Sequence, residues 1–191
     1  MHVERALHAS MEAHAGQTRK GGSIPYITHP MHVALLLARA GADDVTLQAA
    51  LLHDVVEDCE GWTTARVREE FGSAVARTVE DLTEVEGGSW EVRKQAALDH
   101  VAHMCPRSLA VKTADKLHNM HALLARLSEA SDPAVVWQVF SRGPGPTIQY
   151  ARRLADTLTE RLAEAGEFEL LGRELQVTID ALMSFIPADD A

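Results

Sequence analysis

Apolar positions recur along this chain at steps of three and four, the spacing of a helix with one buried face. Val3, Ala6, Leu7, Met11 and Ala15 form the first such stripe and predict a helix over 3–15. Gly16 to His29 interrupts it, with Gly21, Gly22 and Pro25 marking a loop. A second helix is predicted over 30–40, with Pro30 in the first turn, where a missing N–H costs nothing, and Gly41 just past the end. Asp43 or Asp44 is placed to cap a third, which runs through LQAALLHDVVED to Asp58. Thr63 or Thr64 caps a short fourth ending near Gly72, a fifth spans 73–84, and Glu86–Gly88 breaks the pattern. A sixth covers 90–103 and is closed by Pro106; a long seventh over 107–128 carries VKTADKLHNMHALLARL. Residues 132–140 are predicted helical, SRGPGPT is the strongest breaker cluster, and helices over 147–165 and 168–184 complete the chain. No stretch alternates with period two and no repeat is visible, so the predicted class is all-α.

A length of 191 residues fits one domain and is long enough to bury a core without staples. No apolar run reaches the roughly 18 residues that span a bilayer. The opening MHVERALHASMEAH lacks a basic segment followed by an apolar one, so a secretory signal is not expected. Cys59 and Cys105 form no Cys-x-x-Cys pair and read as free thiols of a reducing cytoplasm. A net charge of −10 argues against nucleic acid or an anionic membrane as partner. It permits an anionic small molecule where a metal or clustered bases make one site locally positive.

The chemistry concentrates in His53-Asp54-Val55-Val56-Glu57-Asp58. On a helix, His53 and Glu57 are four apart, as are Asp54 and Asp58, so four ionisable groups share roughly one side. They follow the apolar LQAALL, and ionisable groups at the end of a buried helix need a compensating partner, for which a divalent ion is the economical choice. Asp115 in VKTADKLHNM shares a face with Lys112 and Asn119, and His29 ends the breaker-rich loop in PYITHP. His29, His53, Asp54 and Asp115 together offer two imidazoles and two carboxylates, the carboxylates balancing a 2+ ion. Mixed nitrogen and oxygen donors suit Mn²⁺, Fe²⁺, Co²⁺, Ni²⁺ or Zn²⁺ better than Mg²⁺ or Ca²⁺. Four protein ligands would saturate tetrahedral zinc, whereas an octahedral ion keeps two positions, so one Mn²⁺ per chain is expected.

These residues resemble the H…HD…D signature of the HD superfamily. AHAGQTRKGGSIPYITHPMHVALLLARAG, LQAALLHDVVED, FGSAVARTVEDLTE and VKTADKLHNM resemble the hydrolase domain of the Rel/Spo stringent-response enzymes over about 5–127. The resemblance implies an HD-type helical bundle with a buried single-metal site. It implies one phosphohydrolase domain over 1–191, with a divergent C-terminal helical extension from about 128 and without the synthetase and regulatory domains of the long enzymes. It makes His29, His53, Asp54 and Asp115 the metal ligands, usually for manganese. Glu57 and Asp58 become the carboxylates that orient and activate water, and Arg19 and Lys20 the pair that contacts the nucleotide. Asn119 is a further nucleotide contact, and Lys94 falls near a basic residue of small family members. The implied reaction removes the 3′-pyrophosphate of an alarmone such as (p)ppGpp. After Leu127 the sequence departs from the small hydrolases, whose later helix carries a YFxWA-like pattern. That departure keeps (p)ppApp and the 2′-phosphate of NADPH as rival substrates, beside a generic HD nucleotidase and a non-catalytic nucleotide-binding module. Homo-oligomerisation is left open. Lys112 and Lys116 are read as braces for Asp115 or nearby acids, His14 and Gln17 as structural, and His118 has no assignable partner.

Overall fold

The computed structural model describes residues 2–20, 22–84 and 87–186. Among these, all regular structure is helical: α1 (His2–Ala13), α2 (Thr28–Arg39), α3 (Asp44–Leu52), α4 (Val55–Asp58), α5 (Thr64–Phe71), α6 (Ser73–Leu82), α7 (Trp90–Val101), α8 (Pro106–Glu129), α9 (Pro133–Trp137), α10 (Pro144–Ala165) and α11 (Glu169–Met183). No described helix is long and apolar enough to cross a membrane. Gly21 and Glu86, two of the predicted loop markers, lie outside the described residues.

The helices assemble around α8. Ser108 through Ala114 are all buried, an unbroken run that only a helix enclosed on every side can bury. α2, α3, α6, α10 and α11 all pack on α8, α1 covers α3, and α10 pairs with α11. Leu37, Leu52, Leu109, Leu117, Leu154 and Leu175 are fully buried where these helices meet. Each contributes about 1.5–3 kcal/mol through apolar area removed from water. α10 and α11 approach closely because Gly172 faces Thr159, where a Cβ would meet the Thr159 hydroxyl at 2.8 Å.

Three local predictions need correction. The third helix is not continuous to Asp58: α3 stops at Leu52 and α4 starts at Val55, with His53 and Asp54 between them. His53 Nδ1 lies 2.7 Å from the Ala50 carbonyl, the acceptor a continuous helix would offer to the Asp54 N–H. Pro106 does not close the sixth helix but occupies the first turn of α8, and Pro144 likewise sits in the first turn of α10. Proline at that position has no intrahelical N–H to lose. SRGPGPT does separate α9 from α10, but its PGPT half opens α10 three residues before the predicted start at 147; Arg142 within it pairs with Glu91 at 2.7 Å and ties this start to α7.

Asp43, one of the two predicted caps, caps α3: Oδ1 accepts the Thr46 N–H at 2.8 Å, and Oδ2 accepts from Arg107 at 3.0 Å. Hydrogen bonding from the Thr46 hydroxyl, aided by the Thr46 N–H and Arg107, lowers the Asp43 carboxyl to about 2. Because its folded value is depressed, the contribution to stability is present above the unfolded carboxylate range, near pH 4, and is lost as pH falls through about 2. Asp43→Ala is expected to cost about 1 kcal/mol in urea denaturation at pH 7, the usual effect of losing a cap. The gap to wild type should close progressively as the titration is repeated from pH 5 towards pH 2.

Candidate active site

Two helices and the break between two others bring separated residues to one point. His29 lies in the first turn of α2, His53 and Asp54 in the break between α3 and α4, and Asp115 in the middle of α8. His29 Nε2 is 3.2 Å from His53 Nε2, 3.2 Å from Asp115 Oδ1 and 3.5 Å from Asp54 Oδ2. His53 Nε2 is 3.2 Å from Asp54 Oδ2 and 3.9 Å from Asp115 Oδ1. Both histidines are buried, while each aspartate keeps about a fifth of its side chain exposed. The break after α3 lets His53 and the neighbouring Asp54 address the same point.

The donor chemistry fits a divalent cation. His53 Nδ1 faces the Ala50 carbonyl, which can only accept, so that nitrogen carries the proton and Nε2 looks into the cluster. Burial opposes charging of His53, but Asp54 and Asp115 outweigh it and lift the imidazole to about 9. Asp115 is held low against burial by its hydrogen bond to His29 and the surrounding positive charge. Two buried nitrogens and two carboxylates thus converge on a point that demands positive charge. In the bare chain a proton supplies it; His29, His53 and Asp115 offer ligand atoms all within 4.8 Å of one another, a group that could hold a divalent ion, with Asp54 Oδ2 beside both histidines.

The remaining predicted residues are distributed unevenly around this centre. Glu57 and Asp58 stand beside it on α4. Glu57 Oε2 accepts the Glu84 N–H at 3.1 Å, and partial burial, then Asp54, Glu84 and Asp58, push its carboxyl up. The Tyr26 hydroxyl donates to Asp54 Oδ2 at 2.7 Å and lies 3.0 Å from Asp58 Oδ2, and burial beside these carboxylates keeps it protonated. Arg19 donates to Asn119 Oδ1 at 2.6 Å, and Asn119 donates to Asp115 Oδ1 at 2.6 Å, a chain from the loop to the centre. Lys20 is not brought in. Thr18 and Pro25 form a β-bridge, the chain then turns with the Gly22 N–H bonded to the Arg19 carbonyl at 3.2 Å, and Lys20 in that turn is exposed. Lys94 stands behind the site, paired with Glu84 at 2.5 Å.

A cavity of about 160 Å³ joins these groups and adds Lys112, Lys116 and Tyr150 to its wall. Sequence reasoning assigned the two lysines to bracing and gave no role to Tyr26 or Tyr150. Tyr26 sits in the quoted motif three residues before His29, so a signal existed. Tyr150 comes from α10, beyond the quoted motifs, and nothing in the local sequence marks it. His14 and Gln17 behave as expected: they hydrogen-bond at 2.7 Å, and Gln17 donates to the Asp58 carbonyl at 2.9 Å, tying the loop to α4.

Fold and site define a helical protein built around a candidate centre of two histidines and two aspartates. The chain belongs to the HD-domain family, whose pattern matches residues 6–141. It is 41% identical over 125 residues to a GTP pyrophosphokinase of Streptomyces coelicolor, covering 63% of this chain and 14% of that protein. It is 38% identical over 127 residues to the bifunctional (p)ppGpp synthase/hydrolase SpoT of Escherichia coli, covering 63% of this chain and 18% of that one. The chain thus spans less than a fifth of the length of either relative. A solved metazoan ortholog of SpoT, described as hydrolysing ppGpp, shares the fold with a TM-score of 0.71 at 24% identity over 95% of this chain and 93% of that one.

Proposed function

We propose that this chain is a metal-dependent phosphohydrolase that removes the 3′-pyrophosphate of (p)ppGpp, with His29, His53, Asp54 and Asp115 holding one Mn²⁺. The observation that carries the reading is the convergence of those four donors beside Glu57, in a cavity that Arg19 and Asn119 share. The alarmone chemistry named for the E. coli and metazoan relatives supplies the substrate class. The two free cysteines support a cytoplasmic setting.

A bound divalent ion supplies a Lewis acid that polarises a phosphoryl oxygen and lowers the pKa of water. The residues do the rest. Glu57, whose carboxyl is pushed up, takes the proton of the attacking water; Asp58, held by Tyr26, orients that water. The water oxygen bonds to the phosphorus attached at the 3′-oxygen and the bond to that oxygen breaks. The 3′-oxygen takes a proton, releasing pyrophosphate and a nucleotide with a free 3′-hydroxyl. Lys112 and Lys116 face the same cavity, and burial together with the Lys112 and Lys94 charges outweighs Asp115 in lowering Lys116. An anionic phosphate relieves that repulsion, so these lysines act as its cationic wall. Arg19 and Asn119 hold the nucleoside end, where a guanidinium plane stacks on a purine. Arg19 is therefore expected to act mainly on KM.

Incubating the Mn²⁺-loaded protein with ppGpp, ppApp and NADPH, and resolving the products by chromatography, tests the reading. We expect intact pyrophosphate and GDP from ppGpp. Stepwise release of inorganic phosphate from both ends would point to a generic phosphatase, and preference for ppApp or NADPH would reassign the substrate.

A further inference from the structure

The two candidate histidine ligands are oriented by different kinds of partner. His53 Nδ1 faces a backbone carbonyl, which fixes the proton on that nitrogen. His29 Nδ1 instead faces a second imidazole, His118, at 2.6 Å between the two Nδ1 atoms. One proton lies between these nitrogens, and either ring is able to carry it. If His118 carries it, the proton of neutral His29 sits on Nε2 and points at His53 Nε2 and Asp115, blocking that nitrogen as a donor. If His29 carries it, Nε2 is free to bind an ion, and His118 must accept through Nδ1.

We propose that His118 is a positioning residue of the metal centre: its Nδ1 accepts from His29 Nδ1–H and fixes the His29 tautomer and ring plane that ligation requires. The inference rests on the metal-ligand reading above. His118 lies one turn beyond Asp115 on α8, so one rigid segment supplies a ligand and the acceptor that aims a second ligand arriving on α2. The ring is held in place by His29 on one side, with centroids 4.8 Å apart, and by His32 on the other at 4.6 Å. Outer partners of ligating histidines are usually carboxylates, backbone carbonyls or water; an imidazole in that role leaves the proton position to the choice of ring.

The test compares His118→Phe, which keeps a ring without an acceptor, with His118→Asn, whose Oδ1 takes the place of Nδ1. Mn²⁺ affinity is read from the free-ion signal in electron paramagnetic resonance, with circular dichroism to follow the fold. His118→Phe should weaken Mn²⁺ binding by about 10- to 100-fold, the range for loss of such a partner, and His118→Asn should recover most of it. Wild-type affinity in a folded His118→Phe protein, or no recovery with Asn, would overturn the proposal. Should a variant not fold, ¹⁵N shifts of the Zn²⁺-loaded wild-type chain decide: a proton on His29 Nδ1 with none on His118 Nδ1 is expected, and the reverse defeats it. Failure of the wild-type protein to bind either ion would instead strike the metal-ligand reading itself.

Discussion

Asp54→Ala is expected to abolish both Mn²⁺ binding and turnover while leaving the fold in place. Asp54 Oδ2 stands 3.2 Å from His53 Nε2 and 3.5 Å from His29 Nε2, so its removal takes away a donor and half of the carboxylate charge that balances a divalent ion. Loss of an outer partner typically weakens metal binding by roughly 10- to 100-fold, and loss of a direct ligand should exceed that. The substitution is informative because Asp54, although it precedes α4, makes no side-chain capping bond there. The Tyr26 hydroxyl loses one acceptor and retains Asp58. Metal content after dialysis, thermal melting and turnover should be measured together. Wild-type protein that remains fully active after exhaustive chelation would end the metal-dependent reading.

Glu57→Gln should separate chemistry from binding. The Gln side-chain oxygen is still able to accept the Glu84 N–H now bonded to Glu57 Oε2, so the loop after α6 keeps its anchor. The amide has no usable basicity, and turnover is expected to fall by roughly 10²–10⁴, the range for a lost general base, with Mn²⁺ affinity unchanged. The sign of the pH effect follows from the raised Glu57 carboxyl. The carboxylate is the working form, so wild-type kcat should fall as pH drops through that raised value, and the variant should lose this acidic limb. A Glu57→Gln protein that binds metal normally and turns over at the wild-type rate would assign the base elsewhere, with Asp58 the next carboxylate to substitute.

Much of the site was legible because its residue types are packed into short segments. HDVVED places four ionisable groups directly after buried LQAALL, and this holds whether or not the helix is continuous. Asp115 and Asn119, four apart on an uninterrupted helix, do share a face, and they hydrogen-bond at 2.6 Å. The reading of Arg19 with Lys20 as a pair misled in one respect. The chain turns immediately after Arg19, so the loop delivers the first to Asn119 and leaves the second exposed in the turn. Lys94 was placed near a basic residue of small family members, and its pairing with Glu84, ten residues earlier, is visible only in the structure.

The sequence by itself determined the helical class, most helix boundaries, the four candidate ligands and the two carboxylates beside them. The helices rest on local periodicity and capping residues and HDVVED on chemical types at short spacing, all acting within a few residues of chain, whereas the grouping of His29 and Asp115 with HDVVED drew on the family resemblance. Only the tertiary structure decided that His29 and His118, 89 positions apart, face each other through Nδ1, that Tyr26 braces Asp54 and Asp58, and that Tyr150 from α10 walls the same cavity as Lys112 and Lys116. Those relations arise from how α2, α8 and α10 pack, and packing is set by the summed burial of many apolar side chains. No short segment contains that information.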